Sequence, residues 1–303
     1  MNSYILMILV VIIYSGNILV GKLINELSPF TITFFRLLIA FVVLLPIGFR
    51  SAWNNRSIFF EYKMPLLLMT VTGITLFNTF IYGALQFTTA SNVAVLESVI
   101  PALTVVLSAV LLKERLQKMQ WGGVLISIIG AIWVVIDGKI SHLLAMNWNV
   151  GDVLMIGAII SWSFYSILVK KYMHLFPPFA AIFVMTGISV LVLLPIVTIE
   201  WSITGLPKLA ATPTYVVSLL FMGIFPSFIA LILFNRAVAT LGASQASVFL
   251  NLLPVFTMLG AYLWLGESIT GMQMIGAFIV IFGVMVTTQV ITVRSKKERV
   301  VEY

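Results

Sequence analysis

The feature that most constrains this chain is a succession of apolar segments, each about as long as a bilayer is thick. The hydrocarbon core of a membrane is about 30 Å across, and a helix needs roughly 20 apolar residues to cross it. Such segments occur at 4–24, 30–49, 64–86, 92–112, 119–137, 151–171, 179–199, 214–236, 243–265 and 271–293. The sequence therefore predicts an all-α membrane protein with ten transmembrane helices.

Composition excludes a soluble fold and several kinds of site. Of 303 residues, 61% are hydrophobic and 9% are charged, whereas about 25% of a soluble domain is charged. Cysteine is absent and there are two histidines, so we expect no disulfide, no thiolate or metal site and no cofactor. The net charge of +7 does not indicate nucleic acid, because the cations lie in short runs between apolar segments.

The distribution of cations predicts the orientation of the chain. Cytoplasmic loops of membrane proteins carry an excess of Lys and Arg. With the N-terminus in the cytoplasm, most of the 17 cations fall on that side and only Lys22, Lys139 and Lys208 fall outside. Both termini are therefore predicted to be cytoplasmic.

The second half of the chain repeats the first. Matched pairs at one constant spacing are Pro101 with Pro254, Thr104 with Thr257, Glu114 with Glu267, Gly123 with Gly276 and Gly130 with Gly283. A slightly shorter spacing pairs Ser15 with Ser163, Lys22 with Lys170 and Pro29 with Pro177. Because five spans per half is an odd number, the second half is predicted to be inverted. The predicted units are repeats over 1–143 and 150–293 and a cytoplasmic tail over 294–303.

Several short motifs carry a resemblance to a known family. They are the Arg of Thr33-Phe34-Phe35-Arg36, the turn Lys113-Glu114-Arg115-Leu116, the phrase Gln120-Trp121-Gly122-Gly123, and its repeat within Gly266–Gly276. In these the chain resembles the EamA-type permeases of the drug/metabolite transporter superfamily. The resemblance implies a multi-pass carrier of the bacterial inner membrane, often an exporter of amino acids or other small metabolites. These motifs mark the family but not the solute.

Glu97 is the most informative single residue, because it lies well inside the fourth predicted span. A carboxylate there costs a few kcal/mol unless it is partnered or hydrated. Pro101 cannot supply the N–H that would bond the Glu97 carbonyl, and Thr104 and Ser108 continue the same face at helical spacing. We predict that Glu97 binds a cationic group or carries a proton; the alternatives are a protonated carboxyl hydrogen-bonded between helices and a carboxyl hydrated near the vestibule. Its counterpart in the repeat is Leu250.

Other polar and aromatic residues inside the spans complete the predicted site. Aromatic faces combined with single hydrogen-bonding groups fit a mostly apolar ligand with a polar end. The predicted cavity-lining residues are Tyr14, Asn17, Asn78, Tyr82, Glu97, Ser98, Pro101, Trp162, Tyr165, Asn251 and Pro254. Helix packing is an equal alternative for Asn251. Arg36 is expected to snorkel toward the outer headgroups or cap carbonyls, and the paired glycines are expected to permit close helix contact.

These features predict a secondary transporter that moves a small organic solute, outward, by alternating access around a midplane site. A facilitated-diffusion uniporter and an exporter of drugs or other amphipaths remain alternatives within that class. An intramembrane enzyme would need a nucleophile with a base, or paired acids, and Glu97 is a single acid. The predicted partners are the solute and the lipid bilayer, not nucleic acid. The sequence leaves open the solute, the direction, proton coupling and the oligomeric state, for which a monomer suffices.

Overall fold

The computed structural model describes residues 3–88, 93, 96–114, 117–141, 149–207, 213–265 and 269–287, which are helical with short connections. In chain order the main helices are α1 Ser3–Leu23, α2 Pro29–Asn54, α3 Lys63–Phe87, α4 Ile100–Leu112, α5 Lys118–Val135, α6 Val150–Leu175, α7 Pro178–Thr204, α8 Pro213–Leu241, α9 over residues 243–265, and α10 Gly271–Thr287. Seven of them are long and apolar enough to cross a membrane, and α4, α5 and α10 are shorter apolar helices.

Three helices extend beyond the ends of their predicted spans. α2, α7 and α8 continue about five residues beyond their predicted ends. Local capping sets some boundaries: the Ser28 side chain accepts from the Thr31 N–H at the start of α2, and Gly242 follows α8 with φ at 90°, a conformation that favours glycine. Outside the described residues lie the predicted tail, the last residues of the tenth predicted span, Arg115, Leu116, Gly266 and Glu267.

Four helices depart from regular α geometry, and they do so in matched pairs. α3 contains a π-helical segment at Thr70–Leu76, and α8 contains one at Phe225–Ala230. The helical turn that carries Glu97 is separated from α4 by a turn at Ser98 and Val99, and α9 contains a 3-10 segment at Phe249–Leu252. Such segments change the direction in which side chains project and are frequent at functional sites.

Helix contacts between the halves are also matched. α2 packs on α7, and α5 packs on α10. α1 packs on α8 and α9, while its repeat counterpart α6 packs on α3 and α4. Each of these contacts of the first half with the second thus has an equivalent in which the two halves exchange places.

The α5–α10 contact depends on the paired glycines. A methyl group at Gly130 would lie 2.6 Å from the Val280 nitrogen, and one at Gly276 would lie 2.8 Å from the Val134 nitrogen. Both distances are far shorter than a carbon–nitrogen contact permits, so the backbones of α5 and α10 approach at these positions because no side chain intervenes. Close contact is the role predicted for these glycines.

One hydrogen bond occurs twice with its partners exchanged. In the first half, Tyr82 of α3 donates its hydroxyl to the Asn17 amide oxygen of α1 at 2.9 Å. In the second, Tyr165 of α6 donates to the Asn235 amide oxygen of α8 at 2.7 Å. The repeat pairs the position of Asn17 with Tyr165 and that of Tyr82 with Asn235. The same tyrosine–asparagine bond therefore joins equivalent helices in both halves, but the helix that carries the tyrosine in one half corresponds to the helix that carries the asparagine in the other.

Two further bonds follow the repeat. The Ser15 hydroxyl of α1 donates to the Leu253 carbonyl of α9 at 3.3 Å, and the Ser163 hydroxyl of α6 donates to the Ile100 carbonyl of α4 at 3.4 Å. Lys22 donates to the Leu85 carbonyl near the end of α3 at 3.1 Å, and Lys170 donates to the Ala239 carbonyl near the end of α8 at 2.9 Å. Paired serines and paired lysines therefore make equivalent contacts.

Candidate functional site

A cavity lies between α1, α2, α3, α6, α8, α9, the start of α4 and the turn before it. Its lining residues are Tyr14, Asn17, Ile18, Arg36, Leu37, Gly73, Ile74, Phe77, Asn78, Ile81, Glu97, Ile100, Trp162, Pro226, Ser227, Leu231, Leu250 and Leu253. Both halves contribute, and the π-helical segments of α3 and α8 both reach the wall. The lining is mainly apolar, with a few polar groups and two charges.

Arg36 is held in the cavity wall by neighbours from two other helices. Its Nε donates to the Ser227 hydroxyl at 2.7 Å, and its Nη1 donates to the Tyr82 hydroxyl. The guanidinium carbon also lies 5.4 Å from the centre of the Tyr82 ring, within cation–π range. The side chain is 3% exposed. Arg36 thus differs from the expected snorkelling side chain, because acceptors on α3 and α8 fix it inside the bundle.

The residues that hold Arg36 are themselves oriented. Ser227 donates its own hydroxyl to the Met222 carbonyl five residues earlier at 2.7 Å, so its lone pairs are left to accept from the guanidinium. Tyr82 donates onward to Asn17, which also lines the cavity. The result is a chain of hydrogen bonds from Arg36 through Tyr82 to Asn17, and each member fixes the next.

Glu97 lines the same cavity without a partner. Its carboxyl is 5% exposed, and Oε2 has no hydrogen-bond partner among the described residues. No ion pair within 4.0 Å joins it to Arg36 or to any other cation that the structure describes. A buried charge without a partner is costly, so this carboxyl is available to a ligand or to a proton.

The cavity faces of the fourth and ninth helices follow a spacing of three. Glu97 and Ile100 line the cavity from one half, and Leu250 and Leu253 line it from the other. These are equivalent positions in the repeat. Three residues per turn is the 3-10 period, and it matches the Phe249–Leu252 segment of α9.

An aromatic wall closes one side of the cavity. Trp162 of α6 lies with its ring centre 4.3 Å from that of Phe77 and 5.8 Å from that of Tyr14. Its indole Nε1 has no partner among the described residues. Tyr165 and Phe234 support the indole from behind, at ring-centre distances of 5.2 and 5.0 Å.

Five of the eleven predicted site residues line the cavity, and the other six do not. The five are Tyr14, Asn17, Asn78, Glu97 and Trp162. Tyr82 lies behind it and reaches it through Arg36 and Asn17. Tyr165 bonds Asn235 instead, and the Asn251 amide donates to the Ser127 hydroxyl of α5 at 2.8 Å, the helix-packing alternative for that residue. Ser98, Pro101 and Pro254 are buried away from the cavity lining.

Sequence reasoning missed Arg36, Phe77, Leu250 and Leu253 as cavity residues. For Arg36 the signal was present, because the cost argument applied to Glu97 applies equally to a guanidinium two turns inside a span. For the apolar members there was none, since a leucine facing a cavity and a leucine facing lipid look the same in sequence.

Apolar helices long enough to span a bilayer, arranged around a central cavity with two charges, define an integral membrane transporter. The model of the EamA-like transporter family matches residues 1–136 and 149–289. The chain therefore belongs to the EamA-like transporter family.

Curated relatives agree with this assignment. The uncharacterized transporter YyaM of Bacillus subtilis is 26% identical over 269 residues, covering 88% of this chain and 86% of the relative. An uncharacterized transporter of Archaeoglobus fulgidus is 27% identical, covering 95% and 98%. A "probable amino-acid metabolite efflux pump" of Salmonella typhimurium is 26% identical over 292 residues, covering 93% of each chain.

A solved structure described as "Crystal structure of protein" has the same fold. It superposes with a TM-score of 0.77 over 95% of this chain and 96% of that chain, at 16% sequence identity. At this sequence identity the similarity supports the fold alone.

Proposed function

We propose that the protein is a secondary transporter that moves amino acids or related small metabolites outward across the bacterial inner membrane. In this proposal ten helices span the membrane as two inverted five-helix halves, with both termini in the cytoplasm. The cavity is the binding site, and the halves rock around it so that it opens to one side at a time.

The cavity is the observation that carries the proposal. It lies between the halves, and it combines an aromatic wall with a few fixed polar groups. Such a site serves recognition of an organic molecule. An ion pathway would instead need a continuous row of ligands or charges along the pore.

The exchanged contacts support two inverted halves. The Tyr–Asn bond and the lysine–carbonyl bond each occur once within each half, and the serine–carbonyl bond occurs once in each direction between the halves. Two halves that make the same bonds can adopt each other's conformation, as alternating access requires. The name of the Salmonella relative supports the outward direction and the class of solute.

Proton coupling through Glu97 is a second candidate, favoured by the unpartnered Oε2 in the cavity. Glu97→Gln should abolish transport driven by a pH gradient while solute counterflow continues, because glutamine cannot exchange a proton. Glu61→Gln, at an exposed position, is the matched control. Unchanged pH dependence in Glu97→Gln would leave facilitated diffusion as the mechanism.

Comparison of metabolites released by cells with and without the protein tests the transport activity. We expect enrichment of one or more small metabolites in the medium, and proteoliposomes holding the purified protein should move the same compounds. Release that does not depend on the protein, or conversion of the compound without its movement, would contradict the proposal.

Labelling of single cysteines tests the inverted arrangement. Because the natural chain has no cysteine, no background thiol interferes. An impermeant thiol reagent added to intact cells should label a cysteine at Leu206, after α7, and should not label one at Arg56, between α2 and α3. Labelling of both from the same side would contradict the predicted topology.

A further inference from the structure

Arg36 and Glu97 are opposite charges that face one cavity and do not pair with each other. In a medium as poorly polar as a membrane interior, two such groups close enough to touch would form an ion pair. Here the guanidinium is held by Ser227 and Tyr82 instead. The structure therefore keeps a guanidinium and a carboxyl around one space with no ion pair between them among the described residues.

The hydrogen bonds of Arg36 leave part of its guanidinium free. A guanidinium carries five N–H donors, and the two described bonds use Nε and Nη1. The Nη2 group donates to no acceptor among the described residues, and Arg36 lines the cavity. An oxyanion there would accept charge-assisted bonds from a group that is already oriented.

Glu97 offers the complementary end. Its free Oε2 can accept a bond from an ammonium group. The rest of the wall is mainly apolar, with Phe77, Trp162 and Leu250 among the lining residues. A solute with only one charge would leave the opposite protein charge buried and unpaired, which costs more than the single pair gains.

We propose that the cavity binds a zwitterion, with its carboxylate at Arg36, its ammonium at Glu97 and an apolar side chain against Trp162. This inference rests on the proposed function and makes it more specific, because it assigns each charged group of the solute to a residue. Arg36 and Glu97 then determine specificity separately: Arg36 selects against amines that lack the carboxylate, and Glu97 selects against acids that lack the ammonium.

Two matched sets of compounds test this without altering the protein. Leucine, 3-methylbutylamine and 4-methylpentanoate share one body, and phenylalanine, phenethylamine and 3-phenylpropionate share another. In purified protein, we expect at least one zwitterion to bind about tenfold or more tightly than both of its singly charged analogues, equivalent to about 1.4 kcal/mol. Ligand-induced shifts in unfolding temperature and competition for counterflow measure this preference.

Substitutions assign the charges. Arg36→Gln should remove the preference for the zwitterion over the amine and keep that over the acid; Glu97→Gln should do the reverse. Arg50→Gln, at an exposed position of the same helix, and Glu61→Gln are matched controls that should keep both preferences. If Arg36→Gln does not fold, Arg36→Lys replaces it and should weaken zwitterion binding while still excluding the amine.

Several results would overturn the inference. They are equal binding of a zwitterion and its amine or acid, tighter binding of the amine or acid, and a loss of both preferences from either single substitution. If none of the six compounds binds while cells still release another metabolite through the protein, the zwitterion inference fails and the proposed transport survives. If no compound is transported at all, the proposed function itself fails.

Discussion

At the contact between α5 and α10, glycines of one half meet the backbone of the other at equivalent positions, Gly130 and Gly283 among them. Around the cavity the equivalence ends. Leu250 occupies the position of Glu97, and the spacing that pairs Pro29 with Pro177 places Val184 opposite Arg36. The repeat thus holds where helix backbones must approach and fails where charged side chains face the cavity. We expect scaffold and specificity to be separable in this molecule, and four sets of substitutions test that separation.

The largest effect is expected at the α5–α10 contact. Gly123→Ala would place a methyl group 2.7 Å from the Gly283 carbonyl oxygen, so the helices must separate, at a cost of about 1–3 kcal/mol in the free energy of unfolding. Gly122→Ala is the matched control, since its methyl group would meet nothing within 4 Å. Denaturant titration in micelles measures both, and equal stability of the two variants would show that the contact is not tight.

Moving the carboxylate tests the asymmetry of the cavity. Glu97→Leu combined with Leu250→Glu restores the charge at the equivalent position of the other half, while Arg36 stays where it is. We expect transport to remain reduced about tenfold or more, as in Glu97→Leu alone, because the two charges no longer match one solute. Recovery of transport in the double variant, measured by counterflow in proteoliposomes, would show that the cavity is functionally symmetric.

The two exchanged Tyr–Asn bonds should be unequal in stability and in function. Tyr82→Phe and Tyr165→Phe each remove one hydroxyl bond to an asparagine, worth about 1 kcal/mol in the free energy of unfolding. Tyr82→Phe should cost more, because it also removes the acceptor of the Arg36 Nη1. Tyr82 also orients Arg36, so only Tyr82→Phe should weaken discrimination against amines. Altered selectivity in Tyr165→Phe would place that hydroxyl in the binding site after all.

The smallest effect is expected at the cytoplasmic end of the predicted topology. Glu114 accepts from the Ser244 hydroxyl at 2.8 Å, at the start of α9, where a negative charge is stabilising. Glu114→Gln should lower the free energy of unfolding by about 0.3–1 kcal/mol, and solute selectivity should not change. The comparison with Glu61→Gln shows whether the loss is specific; equal losses would mean that it is not.

Most of the scaffold could be predicted because its causes are local to the sequence. Apolar length gave the helices, and the matched Pro, Gly and Glu positions gave the repeat. Glu97 could be singled out because a carboxylate inside a membrane span is costly unless it is partnered or hydrated. The glycines of α5 and α10 could be placed at a close contact since few other roles suit a glycine at repeated positions within a span.

The cavity face could not be predicted, because it depends on how helices depart from the α period. The predicted cavity face advanced in a step of four from Glu97 to Pro101. The cavity-lining residues of the interrupted fourth helix and of α9 are instead three residues apart. Asn251 consequently meets Ser127, and Leu250 faces the cavity. The position of Arg36 could not be predicted, because it depends on acceptors from two helices that are distant in sequence. One of them, Ser227, lies in the π-helical segment of α8.

The exchanged hydrogen bonds have a consequence for energetics. If the protein alternates between two states in which the halves exchange conformations, as we propose, the bonds that both halves make in equivalent form contribute about equally to both states and favour neither. The small imbalance that sets the resting state must then come from residues that occur once, above all Arg36 and Glu97. Neutralising those two charges by a bound solute would remove much of that imbalance and lower the barrier for the loaded protein to turn over.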